Sequence, residues 1–239
     1  MRVIGVDGCR AGWICIALRG ADDPSPEWWV SAEFEDVVER VPTADLVLVD
    51  IPIGLIDSGP ERRTPDVLAR RVLGGKRASS VFSAPIRPVL DARDYDVANA
   101  LSRRLTGRGL SRQSWAIVPK IRQVDEFLRS RPEWIGRVRE VHPELCFHAF
   151  AGGRSMHHNK KTEDGFRERL ALLAGRYPEA ERILGAILTL EGKQRVARDD
   201  AVDALAAALT GTGPEPLRTL PETPERDAAG IPMEMVFAG

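Results

Sequence analysis

Cysteine is scarce in this chain: three residues, Cys9, Cys15 and Cys146, none in a Cys-x-x-Cys pair. So few, odd in number and scattered, they argue against a disulfide framework or a structural zinc site and for a reducing compartment. Long apolar runs are also missing. No stretch approaches the roughly eighteen uninterrupted apolar residues of a membrane span. The opening Met1-Arg2-Val3-Ile4-Gly5-Val6-Asp7 meets a carboxylate too early for the apolar core of a signal peptide. A soluble cytoplasmic protein with no membrane partner is therefore expected. No internal repeat or low-complexity tract appears. The formal net charge of -1 singles out no class of partner.

What is present is an ordinary apolar share, 43% of 239 residues, enough for one sizeable core. The charge is unevenly spread. Residues 60–122 hold fourteen Lys/Arg and five Asp/Glu, whereas the remainder holds twenty basic and thirty acidic residues. A basic lobe beside an acidic body follows. The expected organisation is a single α/β domain over 1–239, with a helical insertion at about 60–135 and an irregular tail from about 211.

Val3-Ile4-Gly5-Val6 reads as a buried strand ending at Asp7, and residues 13–18 as the strand returning from its turn. Residues 28–34 complete an antiparallel meander, and a short amphipathic helix follows. Leu46-Val47-Leu48-Val49 has the unbroken apolar character of a strand covered on both faces, and it ends at Asp50 before Pro52. A strand is expected at 137–141 and helices at 162–177, 179–190 and 199–209, the last rich in the helix-forming Ala and Leu.

Four elements thus deliver carboxylates: Asp7, Asp50, Glu140 with Glu144 just beyond, and the pair Asp200 and Asp203 on the last helix. If the fourth strand lies parallel beside the first, Asp7 and Asp50 meet at one sheet edge and a C-terminal helix can cross it. Crowded carboxylates need a cation, and hard oxygen ligands suit Mg²⁺ or Mn²⁺. Each acid also has a plain structural alternative. Asp7 can start a turn, and Glu140 can face solvent in alternation with its neighbours. Asp199 can cap the last helix. Asp200 can lie opposite the apolar stripe of Val202, Leu205 and Leu209.

The second signal is basic. Arg62, Arg63, Arg70, Arg71, Lys76 and Arg77 form one group. Arg103, Arg104, Arg108, Arg112, Lys120 and Arg122 form another, in a stretch without an acid. Such a patch fits phosphate contacts, with Lys160 and Lys161 as further candidates and Trp115 able to stack on a base. His142 reads as a strand-end residue, and His157-His158 as part of a polar loop.

Several strings resemble an uncharacterised family predicted to be RNase H-fold nucleases, domain of unknown function 429. They include Val3-Ile4-Gly5-Val6-Asp7-Gly8-Cys9-Arg10-Ala11-Gly12-Trp13, Asp50-Ile51-Pro52-Ile53-Gly54-Leu55 and Arg77-Ala78-Ser79-Ser80-Val81-Phe82. Gly109-Leu110-Ser111-Arg112-Gln113-Ser114-Trp115, Glu140-Val141-His142-Pro143-Glu144 and Lys160-Lys161-Thr162 extend the likeness. Asp200-Ala201-Val202-Asp203 is similar to the final-helix motif of Holliday-junction resolvases in the RNase H-like superfamily. That likeness implies metal ligation by Asp7, Asp50, Asp200 and Asp203, although resolvases usually carry Glu where Asp50 stands. The resemblance implies an RNase H-like mixed sheet and a metal-dependent nuclease using Mg²⁺ or Mn²⁺ on nucleic acid. Catalytic roles would fall to Asp7, Asp50, Glu140, Asp200 and Asp203. Phosphate contacts would come from Arg77, Arg103, Arg104, Arg112, Lys120, Lys160 and Lys161. Two alternatives stand beside it. Asp7-Gly8 followed by Gly12 also resembles the first phosphate loop of actin-like sugar kinases, and a non-catalytic scaffold would keep the same fold. A homo-oligomer is left open.

Overall fold

A computed structural model describes residues 1–239, the side chain of Lys76 excepted, so that this member of the basic group lies outside the described side chains. In chain order the elements are β1 (Val3–Cys9), β2 (Gly12–Leu18), β3 (Glu27–Ser31), α1 (Phe34–Glu39), β4 (Leu46–Val49), α2 (Thr64–Leu73), α3 (Tyr95–Thr106), α4 (Arg112–Ala116), α5 (Val118–Ser130), β5 (Val138–Glu140), α6 (Pro143–Phe150), α7 (Glu163–Arg176), α8 (Ala180–Glu191), α9 (Arg198–Thr212), β6 (Leu217–Arg226) and β7 (Pro232–Ala238). The chain divides into two compact units. One comprises Met1–Ile51, Arg137–Arg218 and Val236–Gly239, the other Pro52–Gly136 and Thr219–Met235. Among the described residues no helix is long and apolar enough to cross a membrane.

The first unit is built on a mixed five-stranded sheet in the order β3-β2-β1-β4-β5. β1, β2 and β3 pair antiparallel, and β4 and β5 add in parallel. This is the meander and parallel addition that the sequence pattern predicts. One detail differs. β1 does not stop at Asp7 but pairs with β2 as far as Cys9–Gly12. Gly12 makes the longer pairing possible: its φ is +124° and a Cβ there would stand 2.1 Å from the Ser31 carbonyl oxygen. Asp7 therefore sits inside a strand and two residues before its end.

Helices cover both sheet faces, giving an α/β fold. On one side α1 packs on β2 and β3, with the Phe34 ring edge-on to Trp13 at 5.3 Å. On the other, α9 lies across β1, β2 and β4, and α6, α7 and α8 pack behind it. A helix enclosed in this way is buried all round, and Ala201 to Gly211 of α9 are. Its small residues let backbone approach backbone. A Cβ on Gly5 would fall 2.1 Å from the Ala204 carbonyl oxygen and 2.2 Å from the Ala208 nitrogen. A Cβ on Gly211 would fall 2.7 Å from Val3. The three cysteines are buried in this unit.

The second unit holds α2 to α5 and much of the β6–β7 ribbon. Arg87 organises it, bonding Asp125 at 3.0 Å and Asp227, whose carboxylate also accepts the Leu55 N–H at 2.9 Å. The tail from residue 211, expected to be irregular, corrects the sequence reading by forming two strands. Its Pro and Glu content masks the pattern. β6 carries those residues along a largely exposed strand, where Pro is tolerated, and β7 is almost entirely buried.

The contact at Gly5 is testable. Gly5→Ala should lower stability by about 3 kcal/mol or more, because the obstructing atoms are helix backbone and cannot rotate away. That corresponds to a fall in Tm of about 6 °C or more in a chain of this size. Gly185→Ala, at an exposed position of α8 with open space around it, should be neutral or stabilising. Thermal denaturation of the two variants makes the comparison, and equal Tm values for Gly5→Ala and wild type would contradict it.

Candidate functional site

Parallel pairing of β1 with β4 sets Val6 level with Val49, and the Asp50 N–H donates to the Val6 carbonyl at 3.0 Å. The next residues on the two strands, Asp7 and Asp50, are then also level and share a face. Val3, Gly5 and Asp7 alternate onto the side that α9 covers. The approach of Ala204 to Gly5 consequently brings the preceding residue, Asp203, over the two strand acids. Asp7, Asp50 and Asp203 each present an oxygen, and these atoms lie within 4.8 Å of one another.

Three carboxylates so close cannot all ionise freely. Burial, then the neighbouring Asp50 and Asp203, raise the Asp7 carboxyl well above its ordinary range. Burial, with Asp203 next, pushes Asp50 up to about 8. Burial raises Asp203 as well, against the pull of Lys160. Hydrogen bonds occupy the acids only in part. Asp7 Oδ1 accepts the Gly8 N–H at 2.7 Å, as a turn-starting Asp would. Asp203 Oδ2 accepts the Lys160 ammonium at 2.7 Å, while its Oδ1 is buried with no partner. A buried carboxylate oxygen without a donor is costly unless a cation or proton reaches it.

Lys160 is held in place by its surroundings. Burial opposes its charge, but Asp203 and Asp7 raise its pKa far above the ordinary lysine value. Its loop is tied to α7. Thr162 caps that helix, accepting the Gly165 N–H at 3.1 Å, and donates to the Asn159 carbonyl at 2.8 Å. A Cβ on Gly165 would lie 1.8 Å from that same carbonyl oxygen. Buried Arg169 donates to the carbonyls of His158 and Gly165 at 3.2 and 3.0 Å and pairs with buried Glu144. Glu168 accepts the N–H groups of His157 and His158 at 2.7 and 2.8 Å. The sequence marks Lys160 and Glu144 but gives no sign of Arg169, whose partner lies on another helix.

The other expected residues are placed differently. Asp200 stands outside the trio. Its carboxylate accepts the Ala197 N–H at 3.0 Å at the start of α9, and burial pushes it up to about 6. It fills the helix-start role that the sequence offered to Asp199. Glu140 ends β5 level with Val49, one residue short of Asp50, and is buried. Neither offers an oxygen to the converging group, although both add negative charge near it. Arg103, Arg104, Arg112 and Lys161 are exposed, and Arg77 and Lys120 half-buried. The Arg112 guanidinium lies 3.6 Å from the Tyr95 ring centre, and Trp115 packs edge-on to that ring. Arg63 is buried against Asp66 at 2.8 Å.

The shifted acids predict a pH dependence. A carboxyl near about 4 when unfolded and about 8 when folded binds its proton more tightly in the native state. Its contribution therefore favours the fold at low pH and fades as pH rises from about 4 to about 8. Asn at position 50 stays neutral throughout. In chelator, Asp50→Asn should melt higher than wild type at pH 8, by on the order of 5 °C, and the gap should close towards pH 4.5. A gap that is constant or widens in acid would contradict the crowding.

The sequence matches over residues 5–226 a family described as Protein of unknown function (DUF429). No curated protein and no solved structure matches the chain. The family match takes in β1 from Gly5 on, β4, Lys160 and α9, so all three converging carboxylates fall inside it. With nearly its whole length covered, the chain belongs to this family.

Proposed function

We propose that this chain is a divalent-metal-dependent phosphodiester hydrolase of RNase H-like fold, acting on nucleic acid. The observation that carries the reading is the convergence of Asp7, Asp50 and Asp203 from two strands and a helix, with one Asp203 oxygen buried and unpartnered. The donor set fits Mg²⁺ or Mn²⁺: hard carboxylate oxygens on rigid elements, one of them still lacking a partner. The sheet order, an antiparallel meander extended by parallel strands, agrees with the proposed fold.

When bound, such an ion supplies Lewis acidity to a phosphoryl oxygen and a water of lowered pKa. The chain's own residues do the rest. Asp7, Asp50 and Asp203 hold the ion, and Asp200 and Glu140 strengthen the negative field around it. Lys160 draws Asp203 towards its ionised form against the effect of burial, and would compete with an ion for that carboxylate. Exposed Arg103, Arg104, Arg112 and Lys161, with Arg77 and Lys120, give affinity for a phosphate backbone, which salt should weaken.

One observation favours the non-catalytic scaffold: the Lys160–Asp203 pair already neutralises one acid without any metal. The decisive variant for both readings is Asp7→Asn. Asn keeps the acceptor for Gly8 N–H, so the fold should survive. It is a far weaker ligand for Mg²⁺, so cleavage of single-stranded, duplex or branched substrates should fall by at least about 100-fold. The rise in Tm that Mg²⁺ or Mn²⁺ gives the wild type should vanish as well. Retained metal-dependent cleavage removes Asp7 from the site. If wild type shows neither metal stabilisation nor cleavage, the scaffold reading prevails.

A further inference from the structure

We propose that the second unit carries a binding site for a nucleoside phosphate, separate from the carboxylate trio and independent of the metal reading. A cavity of about 540 Å³ opens within this unit. That volume falls in the range of about 300–1,000 Å³ usual for small-molecule sites. Its wall carries Arg62, Arg63, Arg70 and Arg108 against a single acid, Asp66.

Asp66 is already engaged. One oxygen takes Arg63 Nη1 at 2.8 Å and the other accepts the Ala84 N–H at 2.9 Å, both side chains being buried. The other three guanidinium groups meet no second acid in this wall. Arg70 donates to the Val81 carbonyl at 3.0 and 2.7 Å and to Ser83 Oγ at 3.1 Å. Arg108 donates to the carbonyls of Pro60 and Glu61. Neutral oxygens fix a guanidinium in place without cancelling its charge, and they leave it free to pair with an anion. Arg62 stands exposed on the same wall. Two fixed positive charges and the exposed Arg62 around one cavity call for a ligand with more than one negative charge, which a terminal phosphate has near neutral pH.

The cavity also has an apolar side. Phe82, 41% exposed, is one of the residues that line this space. Inorganic phosphate alone would leave that ring uncovered. A planar base covers it by stacking. The shared chemistry is a phosphate attached to a nucleoside, found either in a free nucleotide or at the phosphorylated end of a strand.

Calorimetric titration of the full chain in chelator tests this. The probes are adenosine monophosphate, inorganic phosphate, adenosine, and a single-stranded oligonucleotide with and without a 5′-phosphate. Adenosine monophosphate should bind saturably, be displaced by inorganic phosphate, and exceed adenosine by about tenfold or more. Arg62→Ala should weaken it by about tenfold. Phe82→Ala should weaken the nucleotide and leave inorganic phosphate unchanged. Asp7→Asn should leave the affinity for adenosine monophosphate in chelator as it is, although it removes a ligand of the proposed metal. Tighter binding of the phosphorylated oligonucleotide than of the nucleotide identifies a strand end as the ligand, and the reverse order identifies the free nucleotide. No saturable binding of either, or affinities indifferent to both Arg62→Ala and Phe82→Ala, would overturn the proposal.

Discussion

The close passage of α9 over β1 is the contact on which the rest of the first unit depends. Gly5 offers no side chain, and Ala204 and Ala208 put helix backbone where a Cβ would otherwise stand. Gly211 repeats the arrangement over Val3, Leu46 and Leu48. Two glycines on facing elements hold the helix at a single height and register. From that register alone, Asp203 comes down on the edge where Asp7 and Asp50 stand level. A larger residue at position 5 would lift the helix and disperse the acids without altering any of them.

Gathering the acids this way works against the fold. Three carboxylates in a buried space repel one another and lose hydration, and some positive partner must answer them. The chain itself answers in two ways: protons, held well above the ordinary carboxylate range on Asp7 and Asp50, and the Lys160 ammonium on Asp203. Neither reaches Asp203 Oδ1. A divalent ion in the proposed role would satisfy that oxygen and displace the protons, so its binding should release protons and tighten as pH rises. The Arg169–Glu144 pair sits behind this balance. It fixes the loop that carries Lys160, and so sets how strongly the internal cation competes.

Much of this was legible in the residues. The unbroken Leu46-Val47-Leu48-Val49 run and the meander before it led to the sheet order, and Asp7 and Asp50 followed as neighbours. The length of β1 was hidden, because it depends on pairing through Gly12 against Ser31. The wheel of α9 misled about exposure. It assumes one wet face, whereas this helix is enclosed between the sheet and the helices behind it. Asp203 is thus buried in the fold. Arg169 could not be found, since one arginine among many on a helix carries no mark of burial. The β6–β7 ribbon was obscured by its Pro and Glu content. The ring of neutral acceptors around Arg70 and Arg108 is likewise a tertiary feature.

The central claim is that this close packing builds a divalent-metal site from Asp7, Asp50 and Asp203. Crystals grown with Mn²⁺, measured for anomalous scattering at neutral to slightly alkaline pH, test it directly. The account predicts an anomalous peak within coordination distance of all three carboxylates, at about 2.0–2.2 Å for ions of this size, with Lys160 moved off Asp203. A peak elsewhere, or Lys160 still bonded to Asp203 with no density between the three acids, would contradict it.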